Sequence, residues 1–171
     1  MIIFRKSRYL KPRRQLKSLK EINLACLWKQ GKRGLVLDLD NTISPWRENE
    51  VTPEADSLIR EALRLKYKVC LLSNASSKRV ESIARRYNIP FVAPALKPLK
   101  KPYRKAMALM KLQSEQVIAV GDQLFTDVLG GNRSGCYTVL VPPLNKREFL
   151  WTRLMRAVES LVIENGSQNV D

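Results

Sequence analysis

The segment Leu35-Val36-Leu37-Asp38-Leu39-Asp40-Asn41-Thr42 decides how the chain is interpreted. Its first three residues form an apolar run typical of a buried strand, and the aspartates follow directly. Side chains two positions apart in a strand point to the same face, so Asp38 and Asp40 are expected to project together from the strand's carboxyl end. Two carboxylates this close repel each other unless a cation or a shared proton lies between them.

Such a pair has the chemistry of a metal-dependent phosphoryl-transfer site. With Mg²⁺ present, one carboxylate can attack phosphorus while the other transfers the proton of the leaving oxygen. The pattern Asp-x-Asp-x-Thr could also arise by chance in a loop, because short motifs are weak signals on their own. The rest of the sequence must therefore discriminate between the two interpretations.

Composition excludes several other kinds of active site. The 171 residues include no histidine, which removes serine-histidine hydrolases, histidine phosphatases and histidine-ligated zinc sites. The cysteines, Cys26, Cys70 and Cys136, are odd in number and widely separated, which argues against a disulfide framework or a zinc cluster. We expect Cys70 and Cys136 to be buried apolar residues. The length fits one domain.

Apolar strands and amphipathic helices alternate along the chain, which predicts a doubly wound, Rossmann-like α/β fold. Five strands are expected, at residues 35–39, 68–73, 90–93, 117–120 and 137–141. Helices are expected at residues 16–28, 53–65, 76–87, 99–112 and 124–132. The strands are continuously apolar, which suits a mostly parallel sheet with helices on both faces.

The first four predicted strands each lead into polar groups able to bind phosphate or metal. These groups are Asp38 and Asp40, Ser73-Asn74, Lys97, and the segment 121–127 with its two aspartates. Ligands of such sheets bind beyond the carboxyl ends of the strands. The convergence of four polar strand ends at one edge predicts a functional site there.

In order and spacing, these motifs resemble those of the haloacid dehalogenase superfamily of phosphohydrolases. The combination Asp-Leu-Asp-Asn-Thr, Leu-Ser-Asn, Lys-Pro and Gly-Asp-Gln-x-x-Thr-Asp-Val-x-Gly-Gly-Asn is similar to the YqeG family. That family is related to the mitochondrial phosphatidylglycerophosphate phosphatases. The resemblance covers roughly residues 16–158 and implies a phosphatase that uses Mg²⁺, a metal that also suits a carboxylate-rich site.

The resemblance implies roles for the acidic motif residues. Asp38 would be the nucleophile that forms an aspartyl-phosphate, and its other oxygen would bind Mg²⁺. Asp40 would protonate the leaving group and then activate water, with its backbone carbonyl on the metal. Asp122 would bind Mg²⁺ directly, and Asp127 would be a ligand or would contact one. Thr42 would either orient Asp40 or stabilise the turn.

The remaining motif residues would bind the phosphoryl group. By the same resemblance, Ser73 would donate a hydrogen bond to a phosphoryl oxygen, and Asn74 would assist through its amide. Lys97 would balance the charge of the nucleophile and phosphate. Lys100 and Lys101 compete for this role, and Lys97 is preferred because it occupies the Lys-Pro position.

Positive charge is concentrated at the N-terminus. The net charge is +15, and residues 1–34 contain eleven Lys or Arg but one acid, Glu21. We expect a basic arm at residues 1–15, a phosphatase domain at 16–163 and a tail at 164–171. Such an arm attracts a polyanion, either an anionic membrane or nucleic acid, and it could equally be a targeting segment.

The intervals between the motifs are already filled by core elements, so no cap domain is expected. The site should be open, with a flap at residues 43–51. We therefore expect a peripheral enzyme that hydrolyses phosphatidylglycerophosphate at an anionic membrane. It would lie in the cytoplasm or at the inner face of a membrane, and in a mitochondrion or plastid of a eukaryote. Residues 149–158 predict an amphipathic helix that packs on the sheet or binds the interface.

Two alternatives stay open. The same chemistry could act on a soluble nucleotide, a sugar phosphate or a nucleic-acid end. A basic nucleic-acid-binding protein on a phosphatase scaffold is the third hypothesis, but no aromatic RNA-binding stripe is visible and no stable nucleic-acid partner is expected.

Overall fold

The computed structural model describes residues 8–145, in which six strands form one parallel sheet. The strands are β1 (Arg14–Gln15), β2 (Gly34–Leu37), β3 (Lys68–Leu72), β4 (Phe91–Val92), β5 (Val117–Gly121) and β6 (Tyr137–Leu140). Their order in the sheet is β1-β6-β5-β2-β3-β4. The α-helices are α1 (Leu24–Lys29), α2 (Pro53–Arg64), α3 (Ser77–Tyr87), α4 (Lys100–Met110) and α5 (Leu129–Arg133). The predicted doubly wound α/β fold is confirmed, with six strands instead of five.

The additional strand, β1, lies in the segment that the sequence presents as a basic arm. It pairs in parallel with β6, so that Arg14 stands opposite Val139. The residues before β1 are also bound to the domain. The side-chain amide nitrogen of Asn132 donates hydrogen bonds to the carbonyl oxygens of Tyr9 at 2.7 Å and Lys11 at 2.9 Å. The sheet therefore extends into residues assigned to the arm.

The apolar pattern over residues 16–28 does not produce one continuous helix. Leu19–Glu21 forms a 3₁₀ turn, and the α-helix begins only after Asn23, whose side-chain oxygen accepts a hydrogen bond from the Cys26 amide at 2.8 Å. Asparagine is favoured at a helix N-cap and disfavoured inside a helix because its side chain competes for backbone groups. The predicted helix is thus wrong in extent, although Leu19 and Ile22 are buried.

The other helices begin close to their predicted positions. The Thr52 hydroxyl caps α2 by accepting a hydrogen bond from the Ala55 amide at 3.3 Å, and Pro53 occupies the first helical position. Ser76 is the N-cap residue of α3 by position, but its side chain makes no capping hydrogen bond. The predicted helix at 124–132 is instead a π-helical turn, Leu124–Val128, followed by α5.

The sheet separates two apolar clusters, as expected for strands buried on both faces. Leu35 and Leu37 pack on one side with the buried residues of α2 and α3, whereas Val36 packs on the other side with α4. Cys70 and Cys136 are buried in the second cluster, as the sequence predicted, and burial raises the pKa of each thiol to about 12. They are core residues and not nucleophiles.

The register brings the polar strand ends to one edge. Leu37, the last residue of β2, stands opposite Val120 of β5 and Leu71 of β3. The segments that leave these strands therefore meet at the same height. Within residues 8–145, no helix combines the length and apolar character that crossing a membrane requires. The amphipathic segment predicted at 149–158 lies outside the described residues.

Candidate active site

A cleft of about 390 Å³ opens at the carboxyl edge of the sheet, where β2, β3 and β5 end. Its walls come from the segments that follow the strands and from the first turn of α3. The residues lining it are Asp38, Asp40, Trp46, Arg47, Ser73, Asn74, Ala75, Ser76, Arg79, Lys97, Gln123 and Thr126. The cleft thus brings together residues from all four predicted motifs.

Lys97 lies at the base of this cleft between two aspartates. Its ammonium group contacts Oδ1 of Asp38 and lies 2.6 Å from Oδ1 of Asp127. Burial alone would lower the pKa of Lys97, but the carboxylates of Asp127 and Asp38 outweigh this effect and hold the pKa above its ordinary value. Lys97 therefore stays charged, whereas the competing residues Lys100 and Lys101 are exposed on α4.

Thr42 joins two carboxylates instead of orienting the Asp40 side chain. Its hydroxyl oxygen lies 3.2 Å from Oδ2 of Asp38 and 3.0 Å from Oδ1 of Asp122. The single hydroxyl proton can be donated to only one of the two carboxylates at a time, so Thr42 does not neutralise the negative charge of Asp38 and Asp122. Thr42 is nearly fully buried, which fixes the turn that carries it.

Three carboxylates form an acidic cluster at the strand ends. Asp38, Asp122 and Asp127 each offer an oxygen, and the three oxygens lie within 4.8 Å of one another. Burial raises the pKa of Asp38 to about 7, although Lys97 opposes the effect. Burial, reinforced by the Asp38 and Asp127 charges, raises the pKa of Asp122 to about 8. One lysine is too little positive charge for three carboxylates, and an all-oxygen donor set suits Mg²⁺.

Asp127 reaches the cluster because the backbone before it folds back sharply. The amides of both Asp127 and Val128 donate to the Gln123 carbonyl, the wider hydrogen bonding of a π-turn. The Gln123 amide in turn donates to Oδ2 of Asp127 at 3.1 Å. A Cβ atom on Gly121 would lie 2.3 Å from Cγ of Asp127, so only glycine leaves room for this carboxylate.

Asp40 is held apart from the acidic cluster. Its Oδ1 accepts hydrogen bonds from the Arg79 guanidinium at 2.5 Å and from the Arg47 amide at 3.2 Å. The side chain lines the cleft next to the nucleophile candidate Asp38 but is not one of the clustered carboxylates. The metal role assigned to Asp40 concerned its backbone carbonyl, and that role stays a prediction.

Ser73 and Asn74 lie on the cleft wall where β3 ends. The Ser73 side-chain oxygen accepts a hydrogen bond from the Ala75 amide at 3.1 Å, and the Asn74 side-chain oxygen accepts one from the Lys97 amide at 2.8 Å. Within residues 8–145, no hydrogen-bond acceptor is assigned to the Ser73 hydroxyl or to the Asn74 amide nitrogen. Both donors are therefore available to an anion in the cleft.

Several residues that shape the site were not predicted from the sequence. Arg79 binds Asp40, Gly121 admits Asp127, and Trp46 and Arg47 extend the cleft wall from the predicted flap. An arginine in the first turn of a helix carries no local signal of function. For Gly121 a signal existed, since a glycine directly before Asp122 at a strand end often marks close backbone approach.

Comparisons with known proteins agree with this geometry. The family model described as Mitochondrial PGP phosphatase matches residues 1–143. The probable phosphatase YqeG of Bacillus subtilis is 34% identical over 156 residues, which cover 91% of each chain. Phosphatidylglycerophosphate phosphatase 1, chloroplastic/mitochondrial, of Arabidopsis thaliana is 28% identical and covers 86% of this chain. The chain spans only 45% of that longer plant protein.

A solved structure supports the fold. The cobalt-bound deoxy-D-mannose-octulosonate 8-phosphate phosphatase YrbI of Haemophilus influenzae superposes with a TM-score of 0.54 at 16% identity. The match covers 66% of this chain and 69% of that one. The family match reaches through the β1 segment, beyond the roughly 16–158 expected on the N-terminal side. From the family match and the Bacillus relative, the chain belongs to the mitochondrial PGP phosphatase family and is a phosphatase.

Proposed function

We propose that the protein is a Mg²⁺-dependent phosphomonoester hydrolase that converts phosphatidylglycerophosphate to phosphatidylglycerol at a membrane surface. The observation that carries this proposal is the placement of Asp38. Asp38 is 5% exposed, its carboxylate contacts the Lys97 ammonium, and it lines an open cleft together with the hydrogen-bond donors of Ser73 and Asn74. This arrangement suits in-line attack on a phosphate that enters from outside.

In the first step, a carboxylate oxygen of Asp38 attacks phosphorus and the bond from phosphorus to the leaving oxygen breaks. Asp40 gives its proton to that oxygen as the bond breaks. Lys97, with the Ser73 hydroxyl and the Asn74 amide nitrogen, stabilises the negative charge that spreads over the phosphoryl oxygens. The products are the alcohol and an aspartyl-phosphate on Asp38.

In the second step, the Asp40 carboxylate takes a proton from water as the water oxygen attacks phosphorus. The bond between Asp38 and phosphorus breaks, which releases inorganic phosphate and restores both carboxyl groups. Asp38, Asp122 and Asp127 are the residues that would hold Mg²⁺. A bound Mg²⁺ would neutralise charge on the phosphoryl group and keep these carboxylates ionised.

Features of the cleft mouth support a lipid substrate. Trp46 lines the cleft and Leu96 directly precedes the cleft residue Lys97, and 41% and 64% of their surfaces are exposed. Within residues 8–145, no further domain is inserted between the strands to cover the cleft. A large apolar side chain beside a cationic residue such as Arg47 suits an anionic headgroup embedded in a bilayer. The plant relative named above is a phosphatase of this lipid.

Phosphate release from liposomes that contain phosphatidylglycerophosphate tests the proposal. We expect Mg²⁺-dependent release by the wild-type protein and none by Asp38→Asn, which keeps the shape of the side chain but not its nucleophilicity. Soluble glycerol 3-phosphate, assayed in parallel, should be a poorer substrate. Equal hydrolysis of lipid and soluble esters would contradict the lipid assignment, and activity in Asp38→Asn would contradict the mechanism.

A further inference from the structure

The guanidinium of Arg79 connects the Asp40 carboxylate to the flap. Arg79 lies in the first turn of α3, and its side chain is 13% exposed. One terminal nitrogen donates to Oδ1 of Asp40 at 2.5 Å, and Nε donates to the Glu48 carbonyl at 2.9 Å. The other terminal nitrogen also contacts the Glu48 carbonyl and lies 3.4 Å from the Pro45 carbonyl. One side chain thus fixes both the flap and the carboxylate.

The two oxygens of Asp40 differ in their surroundings. Oδ1 accepts from both the Arg79 guanidinium and the Arg47 amide. In the described part of the chain, no hydrogen bond is assigned to Oδ2, and the side chain lines the cleft. An oxygen that already accepts two N–H groups is a poor place for a proton, whereas Oδ2 can carry one.

We infer that Arg79 is the positioning residue for proton transfer by Asp40. It holds Oδ1 so that Oδ2 is the atom that gives the proton to the leaving oxygen and later takes one from water. This inference rests on the proposed function, in which Asp40 is the general acid and base. Because the same guanidinium binds the Glu48 carbonyl, hydrogen bonds through Arg79 link the flap to the proton donor.

A positioning role predicts a dependence on the leaving group. An alkoxide is strongly basic and needs a proton as its bond to phosphorus breaks, whereas p-nitrophenolate is stable without one. A free carboxyl group delivers its proton less often in the required geometry. Loss of Arg79 should therefore impair hydrolysis of alkyl phosphates far more than hydrolysis of p-nitrophenyl phosphate.

The test compares kcat/KM for glycerol 3-phosphate and p-nitrophenyl phosphate, because kcat/KM reports the step in which the alcohol leaves. We expect Arg79→Gln to lose about 10- to 100-fold with the alkyl ester and less than about threefold with the aryl ester. Asp40→Asn should show the same selectivity. Arg79→Lys keeps the charge but not the planar fork, so its selectivity should lie between those of Arg79→Gln and the wild type.

The neighbouring Lys78→Gln is the matched control, since this exposed residue lies in the same helical turn and the hydrogen bonds to Asp40 and Glu48 come from Arg79. The ratio of the two kcat/KM values does not depend on the fraction of folded enzyme, so a destabilised variant still gives an answer. An equal fall with both esters, or no fall with either, would overturn the role of Arg79. If Asp38→Asn keeps its activity, the proposed function fails instead, whatever the ratio shows.

Discussion

The ammonium of Lys97 lies 2.6 Å from Oδ1 of Asp127, and the two side chains are only 4% and 6% exposed. The same ammonium contacts Asp38, so one buried cation serves two buried anions. A buried charge is tolerated only when it is paired, and here the pairing is incomplete because Asp122 adds a third carboxylate. The pKa values of Asp38 and Asp122 are accordingly raised to about 7 and about 8, so these carboxyl groups retain protons until the pH rises or a cation binds.

Replacing Lys97 by methionine should remove activity and weaken the fold. The change leaves Asp38 and Asp127 without their buried counterion, so we expect a loss of about 3 kcal/mol in the free energy of unfolding of the metal-free protein. Phosphate release should fall by at least about 10²-fold, since charge on the phosphoryl group loses its fixed partner. Urea denaturation and phosphate release measure the two effects.

The matched control for this variant is Lys100→Met, which changes an exposed lysine at the start of α4. It should leave both unfolding and activity near the wild-type values. Millimolar Mg²⁺ should restore part of the stability that Lys97→Met loses, because a bound cation would replace the missing charge. Equal behaviour of the two variants would contradict the assignment of Lys97.

Asp122→Asn should stabilise the metal-free protein, increasingly so as the pH rises. The folded protein raises the pKa of Asp122 to about 8 from 3.8, so it binds this proton more tightly than the unfolded chain does. The wild type therefore loses stability as the pH rises from about 4 through about 8. Asparagine keeps the oxygen that accepts from Thr42 but cannot ionise.

Thermal melting in the presence of a chelator, from pH 5 to pH 9, checks this prediction. The midpoint of Asp122→Asn should exceed that of the wild type by a margin that grows with pH and levels off above about pH 8. With Mg²⁺ the order should reverse, because the wild type gains more from binding the ion. A margin that is constant with pH would show that the Asp122 charge has no part in it.

The polar strand ends could be read from the sequence because parallel strands have a simple rule. Each strand is an apolar run, its carboxyl end is set by the first polar residue, and all ends of a parallel sheet share one edge. Asp38, Ser73, Lys97 and Asp122 were located in this way and do surround one cleft or its acidic cluster. Their convergence follows from the sheet register, which local sequence already implies.

Other features depend on contacts between distant residues and had no local signal. β1 consists of Arg14–Gln15, two exposed polar residues at the sheet edge, and pairing with β6 alone defines it as a strand. In the sequence, Arg79 cannot be distinguished from a solvent-exposed arginine of a helix. Its role depends on its hydrogen bond to the Glu48 carbonyl of the flap, which is distant in the chain. For residues 16–28 a local signal existed but was misleading. The apolar residues recur at helical spacing, yet Asn23 caps a separate helix that begins at Leu24.

Gly121→Ala should displace Asp127 without disturbing the nucleophile directly. The new Cβ would lie 2.3 Å from Cγ of Asp127, so this carboxylate must move out of the acidic cluster. We expect weaker Mg²⁺ binding, by about 10- to 100-fold in the concentration that gives half-maximal activity. Titration of activity with Mg²⁺ measures the change. An unchanged Mg²⁺ dependence would show that Asp127 is not needed to hold the ion.

Trp46, which lines the cleft, and Leu96, which directly precedes the cleft residue Lys97, should matter more for lipid than for soluble substrates. If Trp46 and Leu96 enter the headgroup region of a bilayer, changing both to serine removes their apolar contribution and should lower hydrolysis on anionic liposomes by about tenfold. Hydrolysis of p-nitrophenyl phosphate should fall much less, since the variant keeps the clustered carboxylates and the phosphate-binding residues Ser73, Asn74 and Lys97.

Leu109→Ser is the control for this pair, because Leu109 is 47% exposed and lies on α4 about 13 Å along the helix from its start beside the cleft. It should leave liposome hydrolysis unchanged. Vesicle sedimentation with phosphatidylglycerol liposomes would separate weaker binding from slower chemistry. If the Trp46 and Leu96 variant lost activity equally on both substrates, these residues would act on the cleft itself and not on membrane contact.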